Sequence, residues 1–251
     1  NDLAEKSNMV LMRVDKPGVG DSEGDCGKVD FQTELNGYES AVKLLKSKPY
    51  VNTSKIIVYG NSMGSALAPY LANKFDLAGI ISDGTFYKSW YEHMLEIERR
   101  ILQIEGKSEA KIYTLMNDIY IPLYYEMLIK KRSYEDILAD NPTYRKHHRQ
   151  ALNHMYGRNM EYYHQIQDFN FAKNWEEVKV PVRVRWGTND WIMTENDNDM
   201  IMAVLDTKGH KNHKLYKYKG LDHWSTIHLD YTSSFNFKPG KWEDKISQQI
   251  I

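Results

Sequence analysis

Apolar positions along the chain change period twice, dividing it into three stretches. In the first, short apolar runs alternate with helix-spaced patterns. Residues 9–14 (Met-Val-Leu-Met-Arg-Val) read as a strand, and residues 34–48 carry Leu35, Tyr38, Ala41, Val42, Leu44 and Leu45 at helical spacing until Pro49 stops them. A β-branched run at 56–59 predicts a buried strand, an Ala/Leu-rich helix runs from Ser62 to about Lys74, and 77–82 is the next strand. Strand–helix–strand–helix–strand order implies a parallel sheet built from right-handed crossovers.

From about Phe86 to Phe171 the strand-like runs disappear. Tyr, Met, Glu, Lys and His fill a helical pattern with breaks near Gly106, Pro142 and Gly157. This reads as a helical insertion rather than a separately folding domain. Sheet texture returns at 178–186, ending in Gly187-Thr188-Asn189-Asp190, and again at 214–218, followed by Gly220-Leu221-Asp222-His223-Trp224. A last helix is expected over about 241–250.

The three joins that matter chemically lie at strand ends. The run Ile56-Ile57-Val58-Tyr59 leads into Gly60-Asn61-Ser62-Met63-Gly64, a Gly-x-Ser-x-Gly between strand and helix. Glycines flanking the serine predict a turn too tight for side chains, holding Ser62 in a strained backbone conformation with its hydroxyl clear of the sheet. Backbone N–H groups at the helix start lack intrahelical acceptors and are available to an oxyanion. Asp190 and His223 each sit just past a later strand, and positions beyond the C-terminal ends of parallel strands converge on one edge. Ser62, Asp190 and His223 are therefore expected to meet, in one of the known chain orders of a serine triad.

Composition narrows the alternatives. The chain has 251 residues, with 33 basic against 34 acidic side chains and a net charge of −1. That balance gives no electrostatic footprint for nucleic acid and no polybasic surface for anionic lipid. The longest apolar runs are strand-sized, so no membrane span is predicted. Cys26 is the only cysteine, which excludes an intrachain disulfide. The histidines outside the triad show no tight ligand spacing, so no metal site is expected. The loop Gly18-Val19-Gly20-Asp21-Ser22-Glu23-Gly24 departs from a dinucleotide fingerprint, its last glycine one place late, and reads as a tight structural loop in which Asp15 and Ser22 bond backbone groups.

Four segments carry a family resemblance: Asp15-Lys16-Pro17-Gly18-Val19-Gly20-Asp21-Ser22, Gly60-Asn61-Ser62-Met63-Gly64, Gly187-Thr188-Asn189-Asp190 and Asp222-His223-Trp224. In that order, across about residues 9–228, the chain resembles α/β-hydrolase-fold serine hydrolases of the esterase- and peptidase-like group with a helical cap. The resemblance implies an α/β fold with a mostly parallel sheet flanked by helices, a core of residues 1–85 and 173–251, and a helical cap of residues 86–172. It implies Ser62 as nucleophile, His223 as general base then acid, Asp190 as its orienting carboxylate, and the Met63 backbone N–H as an oxyanion donor, with no cofactor. The substrate would be a small ester or acyl compound. Such folds begin with further strands and a loop that supplies a second oxyanion N–H. Only one strand precedes the helix before Ser62 here, so the core is expected to be N-terminally incomplete: either a preceding segment or chain supplies its first strands, or the chain is incomplete as a catalyst.

Rivals remain for the acid and the base. Asp83, just past strand 77–82, is a second candidate acid; Asp222 reads as a loop-capping residue; His228 is an alternative base. The tyrosines of the insertion, with Trp90, are expected mainly to pack helices, and the run Glu96-Ile97-Glu98-Arg99-Arg100 reads as a solvated face. Ester hydrolysis is the leading activity, with peptidase, acyltransferase and non-catalytic binding module as alternatives. The chain opens on Asn1 with no signal pattern, leaving its compartment open.

Overall fold

The computed structural model describes residues 2–148 and 154–250. The chain forms two compact units: residues Asn1–Met12, Leu44–Lys88 and Phe171–Ile251 make the first, and Arg13–Lys43 with Ser89–Asn170 the second.

The first unit holds a four-stranded parallel sheet in the order β1 (Ile57–Asn61), β2 (Gly79–Asp83), β3 (Val182–Gly187), β4 (His213–Tyr218). Register pairs Asn61 with Asp83, Asp83 with Arg185, and Gly187 with Tyr218, so the C-terminal ends of all four strands finish along one edge. Helix α1 (Met63–Phe75) packs on β1 and β2, and α2 (Glu195–Thr207) on β3 and β4. Small residues let α1 approach closely: Ala66, Leu67, Ala68, Leu71 and Ala72 are buried, as are Ile80 on β2 and Val182 and Val184 on β3. Phe86 meets Phe171 edge-on at 4.7 Å, closing this core beside the fully buried Trp175.

Pro69 sits inside α1. Without an N–H it leaves the Ser65 carbonyl short of its helical donor. The buried Ser82 hydroxyl of β2 donates to that carbonyl at 2.9 Å, which ties the helix to the strand beside the serine turn.

Residues 9–14 differ from expectation. They form no strand, and Val10 and Leu11 are more than half exposed. A strand exists only through ladder bonds to a neighbour, and none of the four described strands of the sheet pairs with this segment. The apolar run reports β-propensity, but propensity supplies no partner. The terminal helix is also shorter than predicted, at Ile246–Ile250, because Lys241–Trp242 pairs antiparallel with Thr226–Ile227.

In the second unit, helix Trp90–Ile104 starts with a capping box, Ser89 bonding the Glu92 N–H while Glu92 returns to the Ser89 N–H. Its apolar stripe, Trp90, Met94, Ile97, Ile101 and Leu102, is buried, and Trp90 stacks on Tyr163 of helix Met160–Asp168 at 5.3 Å. Two π-helical turns, Met116–Tyr120 and Tyr125–Ile129, interrupt the helix that follows. The break near Gly157 is a tight hairpin pairing His154–Met155 with Arg158–Asn159. The charged run at 96–100 is not wholly solvated: Glu98 is buried and accepts the Tyr124 hydroxyl at 2.8 Å. In the glycine-rich loop the Ser22 hydroxyl donates to the Asp15 carbonyl at 2.9 Å.

Candidate active site

The serine turn is built as its sequence demands, by one glycine more than the other. Ser62 takes φ +55°, ψ −128°, in the positive-φ region that a non-glycine residue enters only under constraint. Its N–H donates to the Asp83 carbonyl at 3.0 Å, and its carbonyl accepts from the Ser65 N–H at 2.9 Å and from the Ser65 hydroxyl. A Cβ on Gly60 would overlap the Gly64 carbonyl, so no larger residue fits there. A Cβ on Gly64 would meet nothing within 4 Å; the expectation that both glycines are sterically required holds only for Gly60.

The predicted convergence of Ser62, Asp190 and His223 is present in the geometry. His223 Nε2 lies 2.9 Å from Ser62 Oγ, and His223 Nδ1 lies 2.9 Å from Asp190 Oδ2. A carboxylate only accepts, so the Nδ1 position carries the proton and Nε2 faces the serine hydroxyl as an acceptor. Asp190 is 2% and His223 9% exposed, whereas Ser62 is half-buried. The other oxygen of Asp190 accepts the N–H groups of Ile192 at 2.9 Å and Met193 at 2.8 Å, which fixes the carboxylate plane.

Burial alone would push the His223 imidazole down, but Asp190 above all, with Asp83 and Asp222 adding, carries it above its ordinary value of 6.5. Met63 is the first residue of α1, where the helix leaves its leading N–H groups without intrahelical acceptors.

Residues around the three explain how the loops are held. Asn189 N–H donates to the Leu221 carbonyl at 2.9 Å and its side-chain amide to the His228 carbonyl at 2.8 Å, stitching the Asp190 turn to the His223 loop. Asp222 caps that loop, accepting the N–H groups of Trp224 and Thr226 on Oδ1 and the Ser234 hydroxyl on Oδ2. His228 contacts the same Asp222 carboxylate at 3.2 Å, away from Ser62, which removes it as the base in this arrangement. Asp83 is engaged by Arg185 and by the Tyr59 hydroxyl at 3.0 Å rather than by His223. Trp224 stands edge-on to His223 at 5.6 Å and approaches Trp191 at 6.1 Å, so the residue after each of Asp190 and His223 is a tryptophan and the two tryptophans meet.

Sequence reasoning missed Gly84, which has φ +56°. A Cβ there would come within 3.1 Å of Asp190 Oδ2 and 3.2 Å of His223 Nδ1. The signal was a glycine directly after the Asp83 strand end. Among the described residues no group of three or more His, Cys, Asp or Glu side chains is arranged to hold a metal ion.

Comparison with known proteins gives the chain a family. No curated protein matches the sequence. Solved structures with the same fold include Est1E from Butyrivibrio proteoclasticus with ferulic acid bound, at TM-score 0.52 and 15% identity over 89% of this chain and 71% of that one. A monoacylglycerol lipase from Paleococcus ferrophilus gives TM-score 0.50 and 16% identity over 94% and 80%. An esterase from Pyrococcus furiosus gives TM-score 0.50 and 13% identity over 94% of this chain, which spans 65% of that enzyme's length. At these identities the likeness is one of fold, the α/β-hydrolase fold. The family model described as serine aminopeptidase, S33 matches residues 2–228, and the chain belongs to that family of α/β-fold hydrolases.

Proposed function

We propose that this hydrolase cleaves a carboxylic ester through an acyl-enzyme on Ser62. The observation that carries the reading is the continuous chain of contacts from Ser62 Oγ to His223 Nε2 and from His223 Nδ1 to Asp190 Oδ2, each 2.9 Å. A serine hydroxyl is a weak nucleophile near neutral pH, so a base must take its proton as the bond to the acyl carbon forms. His223 accepts that proton on Nε2, and Asp190 keeps the imidazole in the required tautomer and stabilises the imidazolium. The Met63 N–H donates to the developing oxyanion. His223 then returns the proton to the leaving alkoxide. In the second half-reaction it activates water, which releases the acid and restores Ser62.

The family description favours a second reading, an aminopeptidase. That activity needs an anionic group to bind the substrate's terminal amine. The carboxylates nearest the triad in the first unit are committed elsewhere, Asp83 to Arg185 and Asp222 to His228 and Ser234. An ester requires no such group, and for that reason it is the preferred substrate class. Hydrolysis of p-nitrophenyl acyl esters, followed for a burst of p-nitrophenol, compared with aminoacyl p-nitroanilides, tests the choice. A burst with the esters and slow anilide turnover supports it. Faster aminoacyl anilide cleavage would replace it with the peptidase, and no burst with either would favour a binding module.

A further inference from the structure

Asp83 and Arg185 form a charged pair that the reaction does not use. Asp83 is the last residue of β2 and Arg185 lies opposite it on β3. Arg185 is 1% exposed; its Nη1 contacts Asp83 Oδ2, its Nη2 donates to Gln249 Oε1 at 2.6 Å, and its guanidinium stands 4.9 Å from the Tyr218 ring centre. Burial pushes the Asp83 carboxyl up, while Arg185 and then Tyr59 pull it back. Two charges withdrawn from water carry a large desolvation cost. Apolar residues would fill the same sheet position without it.

The backbone at Asp83 and Gly84 bonds Ser62 and borders the Asp190–His223 pair. The Asp83 carbonyl accepts the Ser62 N–H at 3.0 Å. The Gly84 carbonyl accepts the Ser65 hydroxyl, also at 3.0 Å, and its N–H donates to the Arg185 carbonyl at 2.9 Å. The Gly84 Cα stands against the Asp190–His223 hydrogen bond, where a Cβ would have only 3.1–3.2 Å of room. The groups facing His223 are Asp190 and the Ser62 hydroxyl in direct contact, Asp83 backed by Arg185, and Asp222, whose carboxylate is engaged by His228. Asp83 already adds to the pull of Asp190 on the imidazole, and without Arg185 it would add more.

We propose that Asp83 and Arg185 are a positioning pair: their contact fixes the 83–84 turn against Ser62, Asp190 and His223, and Arg185 tempers the pull of Asp83 on the imidazole, so that Asp190 remains the dominant carboxylate. The inference rests on the triad reading above, and its test does not depend on turnover. The His223 imidazole is titrated by NMR, its signals assigned with His223→Asn. In Asp83→Asn the cation of Arg185 is uncompensated, so the His223 midpoint falls by roughly half a pH unit or more. In Asp83→Asn/Arg185→Gln both charges of the pair are gone, and the midpoint recovers part of the way from the Asp83→Asn value toward the wild type. An Asp83→Asn midpoint equal to the wild type overturns the electrostatic role.

Arg185→Lys covers the case in which Asp83→Asn does not fold. It keeps the charge but not the fork that joins Asp83 to Gln249. The midpoint stays, and exchange of the low-field Nδ1 proton quickens several-fold as the Asp190–His223 bond opens more often. Unchanged exchange overturns the positioning role. A wild type that resists a fluorophosphonate while these shifts occur defeats the triad reading alone; a labelled wild type without them defeats only the pair.

Discussion

Replacing Gly84 by alanine puts one methyl group against the hydrogen bond on which the proposed mechanism turns. Gly84 sits at φ +56°, so any L-residue there pays about 1–2 kcal/mol in backbone strain. The added Cβ would lie 3.1 Å from Asp190 Oδ2, 3.2 Å from His223 Nδ1 and 3.3 Å from His223 Cε1. Ordinary contact for these atoms begins near 3.4 Å, so the Asp190–His223 pair must yield by a few tenths of an ångström. A displacement of about 1 Å costs on the order of 10²-fold in rate; a few tenths predicts a loss near 10-fold in kcat with KM little changed. The control is Gly64→Ala, in the same turn, where a Cβ meets nothing within 4 Å. There the change lies inside α1 and is expected to leave activity intact and to stabilise by about 0.5–1 kcal/mol. Both variants are compared by p-nitrophenyl ester kinetics and thermal denaturation. A Gly84→Ala enzyme with wild-type kcat, or a Gly64→Ala enzyme as impaired as Gly84→Ala, refutes the geometric argument.

Other perturbations separate the roles. Asp190→Asn keeps the shape of the site but loses the tautomer control, and kcat is expected to fall by on the order of 10⁴ with the fold retained by circular dichroism. Because the carboxylates hold His223 above 6.5, kcat/KM rises with pH through a midpoint above 6.5, where the imidazole becomes free to accept the serine proton. Stability moves the other way: a raised folded-state pKa contributes stability that is complete below about 6.5 and is lost as pH rises through the folded midpoint. Denaturation curves of His223→Asn should lose that component, and identical pH dependence in the two proteins would contradict it. Gly60→Ala forces a methyl into the Gly64 carbonyl and is expected to destabilise by about 3 kcal/mol or more, measured by urea unfolding.

The sequence made the sheet legible where strand and helix periods alternate, at 57–61, 79–83, 182–187 and 213–218. It also made the convergence at the candidate site legible, because polar residues placed just beyond parallel strands have one edge on which to meet. Ser62, Asp190 and His223 were readable for that reason. Residues 9–14 differ from expectation because an apolar run reports a propensity, while a strand requires a ladder partner far away in sequence. The parts played by Gly84, Asn189 and Arg185 were missed for a related reason. Their parts are set by contacts across strands and loops: a missing Cβ beside Asp190, an amide reaching the His228 carbonyl, a guanidinium opposite Asp83. Glu98 shows the same limit, since a charged run predicts a wet face until the Tyr124 hydroxyl turns one member inward.

The central claim is that Ser62 is the nucleophile, and a fluorophosphonate probe tests it most directly. Intact-mass and peptide analysis of the treated protein should find a single adduct on the peptide that carries Ser62, and Ser62→Ala should take up none. An adduct that persists in Ser62→Ala, or that falls on another residue of the wild type, would contradict the account.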